Sequence, residues 1–306
     1  MKHLFIINPA AGKRNQTVAF TKKIAAFCKP RGMDYEIRVS SRPGNCTELA
    51  RQAAQTGEDY RIYACGGDGT LNEVIQGVVG HPNVAVTHFR GGSGNDFIRM
   101  FGDMDAFADL ARLTDCQETR MDLIRVGDVG YGLNICSMGI DARIVVDMWK
   151  YKHLPLLTGH GAYNFSTVVN LIKGLKRPFE IEVEGETIRG DQTLVCVCNG
   201  RYYGGGYLPV PEAEPDDGLL DVLVIQGVSR LTAAGVIGTY KRGEYATRPD
   251  VITHYRTRQI TVRCPDQSPV NVDGEIFLAR EIEFSVAPEK LRFFYPKDLT
   301  WDAGRK

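Results

Sequence analysis

Neither sign of charge is in excess: 37 Lys and Arg stand against 37 Asp and Glu. That balance excludes a nucleic-acid binder held by overall charge, though not a local basic patch, and no nucleic-acid partner is expected. No run of about 18 apolar residues occurs, so no membrane-spanning helix is expected. The start, Met1-Lys2-His3 and then a short apolar run, lacks a signal-peptide core and reads as a first strand. The eight cysteines include no Cys-x-x-Cys pair and the six histidines no His-x-x-x-His pair. A zinc centre is therefore not expected. Most cysteines lie in apolar runs and read as buried thiols of a reducing, cytoplasmic compartment.

With 306 residues, 43% of them hydrophobic, the chain is long enough for two domains with sizeable cores. Up to about residue 125, short strands alternate with helical patterns. Strands are predicted at 3–7, 35–39, 62–65 and 84–87, and helices from 16 to 29, 47–55 and 71–79. This is the pattern of a mainly parallel α/β sheet covered on both faces. From about 126 strand signals dominate: 123–126, 131–136, 179–183, 192–198, 220–225, 259–263, 270–272 and 282–286. They predict an antiparallel β-sandwich, interrupted by a helical piece at 162–175.

The most informative stretch is Gly66-Gly67-Asp68-Gly69-Thr70-Leu71-Asn72-Glu73-Val74. It follows an apolar strand and precedes a helical pattern. Glycines let a backbone turn sharply and approach a ligand closely, and the helix N-terminus behind them favours an anion. A carboxylate at such a place, Asp68, is repulsive towards phosphate unless a cation lies between, which points to a nucleotide carrying magnesium. The competing reading is a plain turn, with Thr70 as N-cap and Glu73 closing a capping box.

The nine-residue string resembles the nucleotide loop of the diacylglycerol kinase catalytic-domain family, which includes bacterial lipid kinases, sphingosine kinases and ceramide kinases. The resemblance continues in order. Asn8-Pro9-Ala10-Ala11-Gly12 is similar to the family's Asn-Pro-x-x-Gly turn, and Ser40 stands where the family has a nucleotide-contacting threonine, with Cys46 in place of a small alanine. Arg90-Gly91-Gly92-Ser93-Gly94-Asn95-Asp96-Phe97 resembles Pro-x-Gly-Thr-x-Asn-Asp-Phe. Ser93 keeps the hydroxyl, while Arg90 adds a cation close to the expected phosphates. The segments around Asp122, Asn134 to Ala142, Asn199 to Gly206 and Asp216 to Val222 follow, and Asp273-Gly274-Glu275 closes the series.

The resemblance implies an N-terminal three-layer α/β nucleotide-binding domain of the phosphofructokinase and NAD kinase type at 1–125. It also implies a C-terminal antiparallel β-sandwich lipid-substrate domain at 126–290, with 291–306 returning to the first domain. It implies ATP and Mg²⁺ as cofactors and a membrane lipid such as diacylglycerol as substrate. Glu275 would be the general base beside Asp273, with Asp68, Asp96 and Asp122 on the metal and its waters. The nucleotide would meet Asn8, Pro9, Ala10, Ala11, Gly12, Ser40, Gly66, Gly67, Asp68, Gly69, Thr70, Leu71, Asn72 and Ser93. A second, structural magnesium would sit on Asp217 and the carbonyls of Glu214 and Leu219. Two other readings stay open: a soluble-substrate kinase of the NAD kinase or phosphofructokinase type, and an inactive nucleotide- or lipid-binding regulator. Residues 149–179 mix Trp149, Tyr151 and leucines with Lys173, Lys176 and Arg177, which predicts peripheral contact with the inner membrane face. A homodimer is compatible with all of this.

Overall fold

The computed structural model describes residues 1–12, 14–151, 165–166, 169–170 and 173–301, with the backbone alone at 148–151. Contacts divide the chain into two compact units. The first comprises Met1–Leu123, Tyr202–Gly206 and Ala287–Lys306, and the second Ile124–Arg201 and Tyr207–Val286.

In the first unit the strands are β1 (Lys2–Ile7), β2 (Tyr35–Val39), β3 (Tyr60–Gly66), β4 (Val84–Arg90), β5 (Cys116–Met121) and, from the far end of the chain, β15 (Leu291–Pro296). They form one sheet in the order β2-β1-β3-β4-β15-β5. All neighbours are parallel except the edge pair β15 and β5. Strands β1, β3 and β4 are almost wholly buried, as their near-continuous apolar runs require of strands covered on both faces. Register puts Ile7 beside Cys65 and Cys65 beside Phe89, so the turns after β1, β3 and β4 emerge at one edge. The C-terminal strand is held by aromatic packing: Phe294 meets Tyr63 at 5.1 Å and Phe293 meets Phe97 at 5.4 Å between ring centroids, both edge-on.

A short α4 (Leu110–Thr114) precedes β5, and helices α1 (Thr17–Cys28), α2 (Asn45–Ala54) and α3 (Asp68–Val78) follow β1, β2 and β3. The last begins at Asp68, three residues before the predicted start, because Gly67 stays extended (φ −104°, ψ −168°) and the turn becomes helical immediately after it. The capping box does not form. Thr70 lies inside the first turn, and Glu73 Oε2 instead accepts the Cys46 N–H at 3.1 Å, serving the N-terminus of α2. After Asp96 the chain forms a short 3-10 helix, Phe97–Phe101.

The second unit contains β6 (Ile124–Val126), β7 (Gly130–Gly132), β8 (Ile135–Gly139), β9 (Arg177–Val183), β10 (Glu186–Cys198), β11 (Leu220–Gln226), β12 (Ile252–Thr257), β13 (Gln259–Val272) and β14 (Glu275–Val286). All pair antiparallel. The long strands β10 and β13 each give one half to β9 and the other to β8. Both carry a register irregularity between those halves, at 192–194 and 263–268, which is how one strand turns a corner between sandwich layers. Pro265 thus lies in an interruption of the ladder that does not end β13, where the sequence predicts two separate strands. The segment predicted as one strand at 131–136 is two, β7 and β8, split at Leu133 and Asn134. Helix α5 (Ile140–Tyr151), helix Arg230–Lys241 and strands β5 and β12 are additions that the periodicity did not reveal. The helical piece at 162–175 and most of 149–179 lie outside the described residues.

Candidate active site

The glycine edge is built by backbone packing. The Gly66 carbonyl accepts the N–H groups of Gly91 at 2.7 Å and Gly92 at 2.9 Å, together with His88 Nε2 at 2.9 Å. A Cβ on Gly92 would lie 2.4 Å from the Gly67 Cα, so the two loops pass at a separation only glycine permits. The β1 turn joins them: Asn8 Nδ2 donates to Thr70 Oγ1 at 3.1 Å, and Gln16 Nε2 donates to the Gly91 carbonyl at 2.6 Å. The first N–H groups of α3 have no partner within the helix and open at this edge. Burial lowers the His88 pKa to about 4. The ring is therefore neutral, with its proton on the nitrogen facing the Gly66 carbonyl. His88 was not singled out from the sequence; a histidine inside the apolar run of β4 is its only local signal.

Two acids stand at this edge. Asp68 Oδ1 accepts the Phe97 N–H at 3.3 Å. Asp96 takes Arg99 Nε on Oδ1 at 2.8 Å and the Gly205 N–H on Oδ2 at 2.7 Å. A Cβ on Gly94 would be 2.9 Å from Asp68 Oδ2 and 3.4 Å from Asp96 Oδ2, so the carboxylates flank one small gap. Surrounding protein and then the Asp96 charge raise the Asp68 pKa to about 6, against the pull of the backbone N–H groups of Phe97, Asp96 and Asn95. A carboxylate whose ionisation a neighbouring acid opposes, as Asp96 does for Asp68, fits a divalent cation, and magnesium needs no more than one or two carboxylates when phosphate and water complete its shell.

The other predicted residues of this unit are distributed as follows. Pro9, Ala10, Ala11 and Gly12 form the β1 turn, with Asn8 Oδ1 accepting the Ala10 N–H at 3.0 Å. Gly69 and Ser93 are exposed at the edge, and Leu71 and Asn72 are buried behind it. Ser40 is buried at the end of β2 with its hydroxyl on the Cys46 thiol, the residue that departs from the family pattern. Arg90 is engaged by Asp105. Asp122 is not brought to the glycine edge. The pairings Phe293 with Val86 and Leu291 with Met121 put it at the opposite end of the sheet, where it is fully buried and meets Lys290 Nζ at 2.7 Å.

In the second unit, Asp273 and Gly274 are the two central residues of a tight hairpin between β13 and β14. Their φ values of 50° and 98° mark the type I′ turn that an Asp-Gly pair favours. The Asp273 carboxylate accepts the N–H groups of Leu133 at 2.7 Å, Asn134 at 3.1 Å and Ile135 at 2.9 Å, which explains the split between β7 and β8. Asn199 donates to the Leu133 carbonyl at 2.7 Å, so the three motif segments around Asn134, Asn199 and Asp273 converge. Glu275 opens β14 from this turn, exposed.

The turn expected to hold a structural magnesium brings Asp217 to Arg256. Asp217 Oδ1 accepts the Leu219 N–H at 2.9 Å in an Asx turn, and Oδ2 is paired with the Arg256 guanidinium. Both oxygens are committed and the local charge is already balanced by a protein cation. Asp217 thus meets a protein cation at the turn where the resemblance implies magnesium together with the carbonyls of Glu214 and Leu219. Among the described residues no group of three or more His, Cys, Asp or Glu side chains could hold a metal, and no helix is long and apolar enough to cross a membrane.

Comparison with known proteins agrees with this architecture. Residues 2–126 match the diacylglycerol kinase catalytic domain, and residues 134–295 match the YegS C-terminal NAD kinase beta sandwich-like domain. A Shewanella frigidimarina protein named "Probable lipid kinase YegS-like" is 26% identical over 295 residues, covering 93% of this chain and 92% of its own. A solved diacylglycerol kinase from Bacillus anthracis str. Sterne shares the fold, with a TM-score of 0.69 at 20% identity over 98% of both chains. Another solved chain from that strain reaches 0.76 at 22% identity, again over 98% of both. The chain belongs to the family that joins a diacylglycerol kinase catalytic domain to a YegS C-terminal NAD kinase beta sandwich-like domain.

Proposed function

We propose that the protein transfers the γ-phosphoryl group of ATP to a hydroxyl of a membrane lipid such as diacylglycerol. The observation supporting it most strongly is the glycine edge, where interlocked backbone loops, the start of α3 and the Asp68 and Asp96 carboxylates meet. The loops of Asn8 to Gly12, Gly66 to Asn72 and Gly91 to Ser93 bind and orient the phosphates through backbone N–H groups. Asp68 and Asp96 would hold magnesium, which would neutralise charge between them and the nucleotide. Glu275 takes the proton of the attacking lipid hydroxyl at its carboxylate, and Asp273 fixes the turn from which it projects. Positioning and charge neutralisation carry most of the rate, because the transferred group needs little covalent help. Asp122, neutralised by Lys290, has no part in this reading.

The reading extends to peripheral membrane contact through 149–179, where Lys176 and Arg177 are exposed and Lys173 is held by Asp147 at 2.7 Å. The deciding experiment measures ADP formation from ATP and Mg²⁺ with diacylglycerol micelles, with NAD and with fructose 6-phosphate. Lipid-dependent turnover is expected. Turnover with NAD or the sugar phosphate alone would replace the lipid assignment, and nucleotide binding without turnover on any acceptor would make the protein a regulator.

A further inference from the structure

The hydrogen bonds of the Asp273-Gly274 turn continue into the core, and we infer that Asn271, Ser137 and Asp141 are positioning residues that aim the turn carrying Glu275. This rests on the assignment of Glu275 as base. The three side chains are buried, at 3%, 0% and 5% exposure. Asp141 Oδ2 accepts from Ser137 Oγ at 2.7 Å, Ser137 Oγ accepts from Asn271 Nδ2 at 3.1 Å, and Asn271 Oδ1 accepts the Gly274 N–H at 2.9 Å.

The direction of this chain is forced from both ends. An ionised carboxylate only accepts, and a backbone N–H only donates. Ser137 must therefore give its proton to Asp141 and receive one from Asn271. That leaves the amide oxygen, and nothing else, for Gly274. The elements bring the three together without strain. Ser137 and Asn271 are direct cross-strand partners of β8 and β13, and Asp141 lies in the first turn of α5, where a carboxylate is favoured.

Their neighbours Met138, Val270 and Val272 are apolar and buried. A polar chain in such surroundings is costly unless every member is satisfied, and apolar residues of the same volume would serve stability as well. What apolar residues could not do is orient a single backbone N–H of the turn. With Asp273 clamped by Leu133, Asn134 and Ile135, both central residues of the turn are held, one through its carboxylate and one through its amide. Glu275 is the next residue and inherits that rigidity.

The test compares Ser137→Ala, Ser137→Thr and Glu275→Gln in lipid-dependent ATP turnover, with amide hydrogen exchange read over residues 272–276. Ser137→Ala should lower kcat about 10- to 100-fold, the range that a small misplacement of a reacting group costs. KM for ATP should stay unchanged and exchange in the hairpin should quicken. Ser137→Thr keeps the hydroxyl and should recover both. Asn271→Asp alone sets two carboxylates on one hydroxyl and should fail. The double variant Asn271→Asp/Asp141→Asn reverses the chain with every bond still formed, and should regain kcat over the single change. Wild-type kcat and exchange in Ser137→Ala, with Glu275→Gln inactive, would overturn the positioning role alone. Full activity of Glu275→Gln would overturn both this role and the base.

Discussion

At the glycine edge of the first unit, Gly67 and Gly92 pass at a distance that no side chain survives. In the second unit, the Asp273-Gly274 turn is held by carboxylate and amide side chains from β13 and its own tip. The two regions achieve rigidity by different means. A backbone-packed site fails when any atom is added, and its chemistry is that of peptide N–H groups and two acids. A site held by side chains accepts changes of volume at its surface, but fails when one polar group is withdrawn, because its partner is left buried and unsatisfied. A loop that must cradle phosphate needs the first construction, and a turn that must aim one carboxylate needs the second.

The sharpest way to break this contrast is to remove the carboxylate and nothing else. Glu275→Gln keeps shape and should cost about 10²–10⁴-fold in kcat with ATP binding and melting temperature nearly intact. Wild-type kcat at saturating ATP and lipid would remove Glu275 from the chemistry. The converse experiment adds an atom on the other side. Gly92→Ala must displace the Gly67 backbone, which should cost about 1–3 kcal/mol of stability and weaken nucleotide binding together with it. If denaturant unfolding and nucleotide affinity were both unchanged, the loops would not be locked as described.

A third prediction concerns the acid pair. The Asp68 pKa is raised from 3.8 to about 6. Between those values the folded chain holds a proton that the unfolded chain has released. This contribution to stability is therefore fully present below about pH 4 and is lost as pH rises through about 6. Its size is of order 3 kcal/mol. Without nucleotide or metal, Asp68→Asn should raise the melting temperature at pH 7 to 8, flatten its pH dependence between 4 and 7, and abolish turnover. Parallel melting curves for wild type and Asp68→Asn would deny the raised Asp68 pKa, and full activity would reduce Asp68 to a turn former.

The smallest effect is expected at the Asp217 turn, which lies far from either construction in strength. Arg256 is half exposed, with 51% of its side-chain surface accessible, so Arg256→Gln should lower stability by about 0.2–1 kcal/mol. Magnesium alone should leave the wild-type melting temperature where it is through this turn, and should stabilise Arg256→Gln, whose Asp217 is released to take a cation. A magnesium-dependent rise in wild type that disappears in Asp217→Asn would restore the metal and displace Arg256.

Local pattern carried a great deal of this protein. The strand before Gly66, the glycines, the acid and the helix behind them lie within one short stretch, and each is legible because turn chemistry and helix periodicity act over a few residues. The Asp273-Gly274 hairpin is readable for the same reason. The sequence by itself therefore determined the α/β alternation, the glycine edge and the turn bearing Glu275. Tertiary structure alone decided what those pieces meet. Asp217 finds Arg256, 39 residues on. Asp122 finds Lys290 at the far edge of the sheet. His88 proves to lock the Gly66 carbonyl, and Glu73 serves α2 rather than its own helix. Asn271 meets Ser137 across 134 residues. None of these partners is encoded within a few residues of the group it completes. Each is chosen by register and packing, where the cost of leaving a buried charge or hydrogen bond unmatched selects one arrangement of the whole chain.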